Sequence, residues 1–332
     1  MVLGLQTLPS FSIVLETENL ANADIEGLSR SLASLVNQDL SPTEAREVIL
    51  VESGDTPADL LDQLCQRYPW IKVHLAPPST GYYKAKMLGA AIATGEVVVY
   101  CDSDCIYEPH WLRTILSTFA QNPEIQVVAG ETTTRGVGWY GTAMALTYIF
   151  PQYSGETELA PTAQYFLNNV AFRREFLLRH PIPLELPLYR GNCVVHAQEL
   201  TQKQHKIWRQ PLARANHAPP DGVAHFFWRF LLIGHDLYWQ HRLLDRRLAA
   251  TPPPEEGRET YHKSMGGFAG KIAVFFERIR RLGRNDPRHL VYLPLAIPAA
   301  TASVLLIFVG YLITIAQPDY LLKTYDRLLE AV

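Results

Sequence analysis

Residues 95–111, GEVVVYCDSDCIYEPHW, contain the segment that decides the fold of this 332-residue chain. Residues 97–100 are apolar and mostly β-branched, and a Gly-Glu pair precedes them, so the pattern predicts a buried strand. The strand ends in Asp102-Ser103-Asp104, and a helix is predicted to begin near Pro109. Two carboxylates one residue apart at a buried strand end repel each other unless a cation lies between them. Asp102 and Asp104 are therefore candidate ligands of a Mg²⁺ or Mn²⁺ ion carrying a phosphate, although the same triplet also occurs in solvated turns.

The composition excludes some classes of function. A net charge of −3 provides no basic excess for binding nucleic-acid phosphates, so we expect no nucleic-acid partner. The four cysteines, Cys65, Cys101, Cys105 and Cys193, have no paired C-x-x-C spacing, which predicts reduced cytosolic thiols and neither a zinc site nor a disulfide framework. The N-terminal stretch MVLGLQTLPSFS lacks the basic and long apolar regions of a signal peptide, so we expect the chain to start inside the cell.

A long apolar segment lies near the C-terminus. No charged side chain occurs from Leu290 to Ala316, and this segment is long enough to cross the apolar core of a bilayer. Arginines stand before it at positions 278, 280, 281, 284 and 288, and this bias predicts that its N-terminal side lies in the cytoplasm. Because of Pro294 and Pro298, the segment could also be a kinked span, a re-entrant segment or an interfacial one. The alternative to a membrane segment is a buried helix of a soluble domain.

Strands and helices alternate in the N-terminal part of the chain, as far as Gly130. Strands are predicted at 11–15, 48–51, 71–75, 97–100 and 125–130, and helices at 22–38, 56–68 and 84–93. This order predicts an α/β fold with a mostly parallel sheet flanked by helices. Ligands of such sheets bind beyond the carboxyl ends of the strands. Acid-bearing segments follow three of the predicted strands: Glu16-Thr17-Glu18-Asn19, Glu52-Ser53-Gly54-Asp55 and Asp102-Ser103-Asp104.

The second half of the chain is less regular. Residues 200–217 are predicted to be a helix end followed by a loop that closes at His217. Residues 223–238 are aromatic, apolar and lightly charged, which is typical of a helix in a membrane interface, and a helix packed on the domain's own core is the alternative. A hinge is predicted at 251–257. These patterns divide the chain into a first domain (1–220), amphipathic membrane-proximal helices (221–288) and a transmembrane segment with a short tail (289–332).

Six short motifs between Glu16 and His217 resemble those of family 2 glycosyltransferases, and they occur in the family's order. Besides the Asp102-Ser103-Asp104 triplet, the matching segments are residues 16–19 after the first strand, 51–55 in place of V-D-D-G-S, 85–96 in place of A-R-N-x-G…A-x-G-E, 168–174 in place of G-x-N-x-A-F-R-R, and 211–217 in place of P-x-A-x-V-x-H. The resemblance implies a GT-A-like domain of an inverting, metal-dependent enzyme, followed here by amphipathic helices and a C-terminal transmembrane helix.

The resemblance also implies roles for individual residues. The implied nucleotide-binding residues are Glu16, Thr17, Glu52, Lys86 and Asp102, and the implied metal ligands are Asp102, Asp104 and His217. In this scheme Lys86 reaches the diphosphate, and Asp102 contacts either the ribose or the metal. The chemistry of the residues agrees, because a divalent ion and a lysine neutralise the charge that develops on a pyrophosphate leaving group.

The chain departs from the family at the catalytic base. The family's G-E-D-x-D-L segment aligns either with Gly191, which puts Cys193 in place of the catalytic aspartate, or with Glu199-Leu200, which puts Ala197 there. A thiol with a pKa of about 8.5 is a poor substitute for a carboxylate, and alanine is none. Glu199 and Cys193 are the candidate catalytic residues. Glu185 and His196 are alternatives, as is an acceptor that needs little activation, such as a phosphate or carboxylate.

Together these patterns and the family resemblance predict a membrane-associated, hexosyltransferase-like enzyme with its catalytic domain on the cytoplasmic side. It is expected to move a sugar, with inversion, from a nucleotide-diphosphate donor (a UDP-sugar is expected) to a lipid or saccharide acceptor, with Mn²⁺ or Mg²⁺ as cofactor. Because the aspartate is missing, a catalytically impaired scaffold or sensor that binds a nucleotide sugar is the first alternative. A nucleotidyltransferase is the second, although its Gly-rich basic loop is missing after the first predicted strand.

Overall fold

A computed structural model describes residues 7–17, 25–54, 56–78, 80–250 and 268–330. Glu18, Asn19, Asp55 and the predicted hinge at 251–257 lie outside these residues. The chain forms two compact units. The first comprises Met1–Thr132, Gly155–Leu184 and Glu199–His217, and the second comprises Thr133–Ser154, Glu185–Gln198 and Ala218–Val332.

The first unit is built on a mixed sheet. In chain order the strands of the described residues are β1 (Phe11–Glu16), β2 (Glu47–Glu52), β3 (Ile71–Leu75), β4 (Val97–Cys101), β5 (Cys105–Tyr107), β6 (Val127–Thr134), β7 (Ala160–Thr162), β8 (Asn169–Arg173) and β9 (Ile207–His217). They are arranged in the order β3-β2-β1-β4-β8-β6-β9-β5, with β7 beside β9. The first four are parallel, whereas β4–β8, β6–β8 and β5–β9 are antiparallel pairs. The predicted α/β fold is confirmed.

The helices are α1 (Ile25–Val36), α2 (Ala58–Arg67), α3 (Tyr82–Ile92), α4 (Trp111–Gln121), α5 (Gly138–Thr147), α6 (Arg174–Arg179), α7 (Asn192–Gln202), α8 (Gly222–Ala250), α9 (Phe268–Asn285), α10 (Arg288–Ala316) and α11 (Tyr320–Glu330). In the first unit, side chains of α1, α2 and α4 pack in one apolar core with the odd-numbered residues of β1 and β4. Successive residues of a strand point to opposite faces. The even-numbered residues therefore face α3, where Gly89 lies so close to Val14 that a Cβ would overlap its side chain.

The prediction of a loop before His217 was wrong, because residues 207–217 form the long strand β9. Buried residues alternate at Pro211, Ala213 and Ala215, which is the period of a strand. The buried positions carry proline and small alanines while the interposed Leu212 is exposed, so the alternation had little apolar contrast in the sequence. The error matters because β9 pairs with β5 and thereby places His217 beside the residues that follow β4.

The second unit is helical. Among the described residues, α10 is the one helix long and apolar enough to cross a membrane, and only 22% of its most apolar stretch is buried. Pro294 and Pro298 lie inside this helix, which continues through both for 29 residues. Helix α8, which contains the predicted interfacial segment, packs closely on α10: a Cβ at Gly234 would overlap the Ile307 carbonyl, and one at Gly310 would overlap the Leu231 carbonyl.

Candidate active site

The ends of β1 and β2 are joined by the side chain of Thr17. Its hydroxyl donates to the Val51 carbonyl oxygen and accepts from the Ser53 amide, both at 3.3 Å. Glu16 and Thr17 are both fully buried. The two residues implied to line the nucleotide pocket after β1 are thus parts of a rigid strand end, and their contact with a nucleotide stays a prediction.

One carboxylate oxygen of Glu52 accepts hydrogen bonds from the backbone, and the other has no partner among the described residues. Its Oε1 accepts from the amides of Gly54 at 2.6 Å and Thr56 at 3.3 Å, and Gly54 has a φ of +90° that favours glycine in this turn. Its Oε2 is buried and has no hydrogen-bond partner among the residues that the structure describes. Buried acceptors are nearly always paired, so this oxygen is available for a hydroxyl or N–H donor of a ligand.

Lys86 and Asp102 form a buried ion pair. The Lys86 Nζ lies 2.6 Å from Asp102 Oδ1 and also donates to the Cys101 carbonyl oxygen. Burial alone would lower the pKa of Lys86, but the negative charges of Asp102 and Glu16 raise it, so the ammonium stays protonated. The structure therefore places Lys86 as a support for the D-x-D strand end, and its predicted contact with a diphosphate is not tested.

Sequence reasoning missed Tyr82, which also holds Asp102. The Tyr82 hydroxyl lies 2.8 Å from Oδ2 and 3.1 Å from Oδ1 of this carboxylate. Residues four apart share a helix face, so Tyr82 and Lys86 approach Asp102 from the same side of α3. The Y-x-x-x-K spacing just before the D-x-D strand could have indicated this contact. It predicts the contact only when the even-numbered residues of β4 are known to face α3.

Asp104 and His217 meet at the end of β9. The His217 Nε2 lies 3.1 Å from Asp104 Oδ2, and the two side chains are 12% and 21% exposed, His217 being the less exposed. Burial would raise the pKa of Asp104, but the charge and hydrogen bond of His217 lower it, so this carboxylate is ionised. An ionised carboxylate and an imidazole at this separation fit a single divalent cation.

The donor group of this site contains a cysteine. Among the described residues, Asp104, Cys105 and His217 have ligand atoms that all lie within 4.8 Å of one another. Asp102 is not in this group, and its carboxylate accepts hydrogen bonds from Lys86 and Tyr82. Sequence reasoning gave Cys105 no role, because the cross-strand pairing of Cys105 with His217 depends on the unpredicted strand β9.

The candidate catalytic residues Cys193 and Glu199 lie on the same helix but on different faces. Both belong to α7, and their spacing in the chain corresponds to about 120° around the axis and about 9 Å along it. Cys193 is 7% exposed and Ala197 is fully buried, whereas Glu199 is half-buried. The two positions aligned with the family's aspartate thus carry a buried thiol and a buried methyl group, and neither replaces a carboxylate.

In the second unit, α8 fixes the turn that leads into α7. The Asp236 carboxylate accepts from the Tyr189 amide at 2.7 Å and from the Arg190 amide at 2.8 Å. Gly191 has a φ of +107°, and a Cβ there would overlap the Gln240 side chain. Burial raises the pKa of Asp236 to about 7, although the two amides and nearby arginines lower it. The sequence gave no signal for this contact, which depends on helix packing.

Residues 21–180 match the family described as glycosyl transferase family 2. Polypeptide N-acetylgalactosaminyltransferase 10 of Homo sapiens is 30% identical over 122 residues, which cover 36% of this chain and 19% of that protein. Glucosyl-dolichyl phosphate glucuronosyltransferase of Haloferax volcanii is 28% identical over 105 residues, which cover 32% of this chain and 33% of that protein. The matches thus span about a fifth to a third of the length of these relatives.

A solved structure resembles nearly the whole chain. The mannosyltransferase from Pyrobaculum calidifontis, in complex with GDP-Man and Mn²⁺, has a TM-score of 0.59 and 14% sequence identity, and the match covers 94% of this chain and 88% of that one. At this identity the likeness concerns the fold. The family match and these relatives support the predicted resemblance to family 2 glycosyltransferases. The likeness to the mannosyltransferase shows a GT-A-like fold, as predicted.

Proposed function

We propose that this chain is a metal-dependent glycosyltransferase that moves a sugar, with inversion, from a nucleotide-diphosphate donor to a lipid or saccharide acceptor at a membrane. The observation that supports this most is the pair of Asp104, in the D-x-D triplet that follows β4, and His217, at the end of β9, which lie 3.1 Å apart. A divalent ion held there would neutralise the charge that develops on the departing diphosphate. The Mn²⁺ in the mannosyltransferase structure supports a divalent ion of this kind.

The donor nucleotide is assigned to the ends of β1 and β2. The open Oε2 of Glu52 would accept a hydrogen bond from a ribose hydroxyl or a base N–H, and Thr17 fixes the strand ends on which it stands. Asp102 would contact the ribose or the metal from the position that Lys86 and Tyr82 give it. UDP-sugars are the donors expected from the sequence, and GDP-sugars are the alternative that the mannosyltransferase supports.

The acceptor determines what base the reaction needs. Glu199 is the carboxylate of α7 that could deprotonate an acceptor hydroxyl, and Cys193 is the second candidate. A lipid phosphate is already ionised at neutral pH and needs no strong base, so a chain with a thiol at the family's aspartate position suits such an acceptor. The Haloferax relative, whose name refers to glucosyl-dolichyl phosphate, supports a lipid-linked acceptor.

The membrane part of the proposal rests on α10. Its exposed side chains include Leu295, Val304, Leu305 and Phe308, a surface that water solvates poorly. The arginines that precede it would hold its N-terminal end, and the catalytic domain, on the cytoplasmic side. The chain is accordingly divided into a catalytic domain (1–220), membrane-proximal helices (221–288) and a transmembrane segment with a short tail (289–332).

Calorimetric binding of UDP, GDP and their sugar conjugates, with and without Mn²⁺, tests the donor site. We expect Mn²⁺-dependent binding of one nucleotide family, lost in Asp104→Asn and kept in Asp59→Asn, which removes an exposed carboxylate of α2. Binding of no nucleotide, or undiminished Mn²⁺-dependent binding by Asp104→Asn, would refute the assignment.

A nucleotide-sugar-binding scaffold is the second candidate function. The observation that favours it is the buried Cys193 and Ala197 at the positions of the family's catalytic aspartate. It predicts metal-dependent nucleotide binding without sugar transfer over a panel of lipid phosphates and saccharides. Release of nucleoside diphosphate that requires both donor and acceptor would exclude it.

A further inference from the structure

We propose that Cys105 is a third ligand of the Asp104–His217 metal site, so that this site binds thiophilic divalent ions such as Zn²⁺ and Co²⁺ through a metal–sulfur bond. The inference rests on the proposed function, because it concerns the same site. It revises the expectation from the cysteine spacing that the chain has no zinc site.

The donor atoms lie close enough together for side-chain movements to bring them onto one tetrahedral ion. The Cys105 Sγ lies 3.7 Å from Asp104 Oδ1, and the His217 Nε2 lies 3.1 Å from Asp104 Oδ2. With metal–oxygen and metal–nitrogen bonds of about 2.0 Å and a metal–sulfur bond of about 2.3 Å, tetrahedral geometry requires separations of about 3.3 Å and about 3.5 Å. The donor atoms of Cys105 and His217 lie within 4.8 Å of each other. A tetrahedral site requires about 3.5 Å between them, so these two side chains would approach each other by up to about 1.3 Å when an ion binds.

The backbone holds these donors in place. Cys105 and His217 are directly opposite each other in the antiparallel β5–β9 ladder, and Asp104 precedes β5 by one residue. Residues opposite each other on antiparallel strands have their Cβ atoms about 4.5–5.5 Å apart, a separation that side chains from both can bridge through a metal. The partial exposure of Asp104 and His217 leaves the fourth position open to solvent or to a diphosphate oxygen.

The donor set determines which ions are favoured. Carboxylate oxygens alone favour Mg²⁺ and Mn²⁺, whereas a thiolate shifts the preference to Zn²⁺ and Co²⁺. When such an ion binds, the metal–sulfur bond forms and the thiol proton leaves to solvent, as occurs when metals bind thiols elsewhere. Zn²⁺ is therefore expected to displace Mn²⁺ from this site.

Titration of the full-length protein with Co²⁺ separates this inference from the proposed site itself. We expect visible d–d bands from a tetrahedral ion together with a near-ultraviolet thiolate-to-cobalt charge-transfer band. Cys105→Ser should keep the visible bands, lose the charge-transfer band and weaken Zn²⁺ binding at least about tenfold, as even outer-shell changes do at metal sites. Mn²⁺ affinity should change less, because Mn²⁺ depends on the oxygen and nitrogen donors.

Two controls make the result specific. Cys65→Ser removes a half-buried cysteine of α2 and should keep both sets of bands. His217→Ala should weaken Co²⁺ binding as a whole. If Cys105→Ser does not fold, X-ray absorption of the zinc-loaded native protein gives the answer, because a sulfur scatterer at about 2.3 Å supports the inference.

The outcomes are distinct. Visible bands without a charge-transfer band, or zinc surrounded by oxygen and nitrogen alone, would overturn the role of Cys105 and leave the Asp104–His217 site intact. Failure of the native protein to bind Co²⁺, Zn²⁺ and Mn²⁺ would overturn the proposed metal site itself.

Discussion

Lys86 and Asp102 are joined by an ion pair of 2.6 Å whose side chains are 0% and 5% exposed. Each of these buried charges is stabilised by the other, because neither has water around it. Removing one would leave the other buried without a counter-ion. The pair fixes the first residue of the D-x-D triplet from a helix that precedes it in the chain. The geometry of the triplet therefore depends on α3 as well as on β4.

Replacement of Lys86 by methionine should destabilise the first unit strongly. The change leaves the Asp102 carboxylate buried without its cation, and breaking such pairs costs about 3–5 kcal/mol. Lys84→Met is the matched control, because Lys84 is an exposed lysine close by on the same helix. Urea denaturation followed by tryptophan fluorescence measures both. Equal stability of the two variants would contradict the role of the pair.

Tyr82→Phe should have a smaller effect that depends on Lys86. The variant removes a hydrogen bond to a charged group, which is worth about 1.5–3 kcal/mol. Both side chains bind the same carboxylate, so their effects on the free energy of unfolding should not be additive. The loss in the double variant should differ from the sum of the losses in the two single variants. A double-mutant cycle of unfolding free energies measures this coupling, and strict additivity would show that the two side chains act independently.

The stability of the second unit should fall as pH rises from about 4 to about 7 because of Asp236. Burial raises the pKa of this carboxyl to about 7, whereas in the unfolded chain it is about 3.9. Between these values the unfolded state loses the proton and the folded state keeps it, so the free energy of unfolding falls, by up to about 4 kcal/mol. Asp236→Asn should remove this pH dependence. Thermal unfolding of both proteins from about pH 4.5 to about pH 7.5 tests it, and parallel curves would contradict it.

Gly310→Ala should loosen the packing of α8 on α10. The added Cβ would overlap the Leu231 carbonyl, so the helix backbones must move apart at a cost of about 1–3 kcal/mol. Gly283→Ala in α9 is the control, because its Cβ meets only the flexible end of the Leu290 side chain. Both changes gain similar helix propensity. A lower melting temperature for Gly310→Ala alone is expected, and equal melting temperatures would refute the close approach.

A lysine on the exposed face of α10 should weaken membrane association. Leu305 is 58% exposed, and a lysine near the middle of a membrane-spanning helix costs about 2.5–3.5 kcal/mol. Val223→Lys, on α8 and 86% exposed, is the control. Extraction with alkaline carbonate should release Leu305→Lys but not the native protein or the control. Retention of all three would place the anchor elsewhere.

Part of the site could be predicted from sequence because it follows strand ends. The β-branched runs that end at Glu16, Glu52 and Asp102 locate these acids at one edge of a parallel sheet, whatever the helices do. Tyr82, Cys105 and Asp236 could not be found in the same way. Each depends on which residue of one element faces which residue of another, and such pairings come from packing and from the register of β5 with β9.

Asp104 and His217 lie far apart in the chain. This separation determines when, during synthesis, the protein has all the residues that it needs to bind a metal ion. Among the described residues, β9 is the last strand of the sheet in chain order, and its final residue, His217, is one of the metal donors. A fragment that ends before His217 contains the residues of the parallel strands but not the complete donor set. During synthesis, which proceeds at about 5–20 residues per second, the four parallel strands emerge several seconds before His217. The parallel strands of the nascent domain are therefore synthesised first, and its complete set of metal donors last.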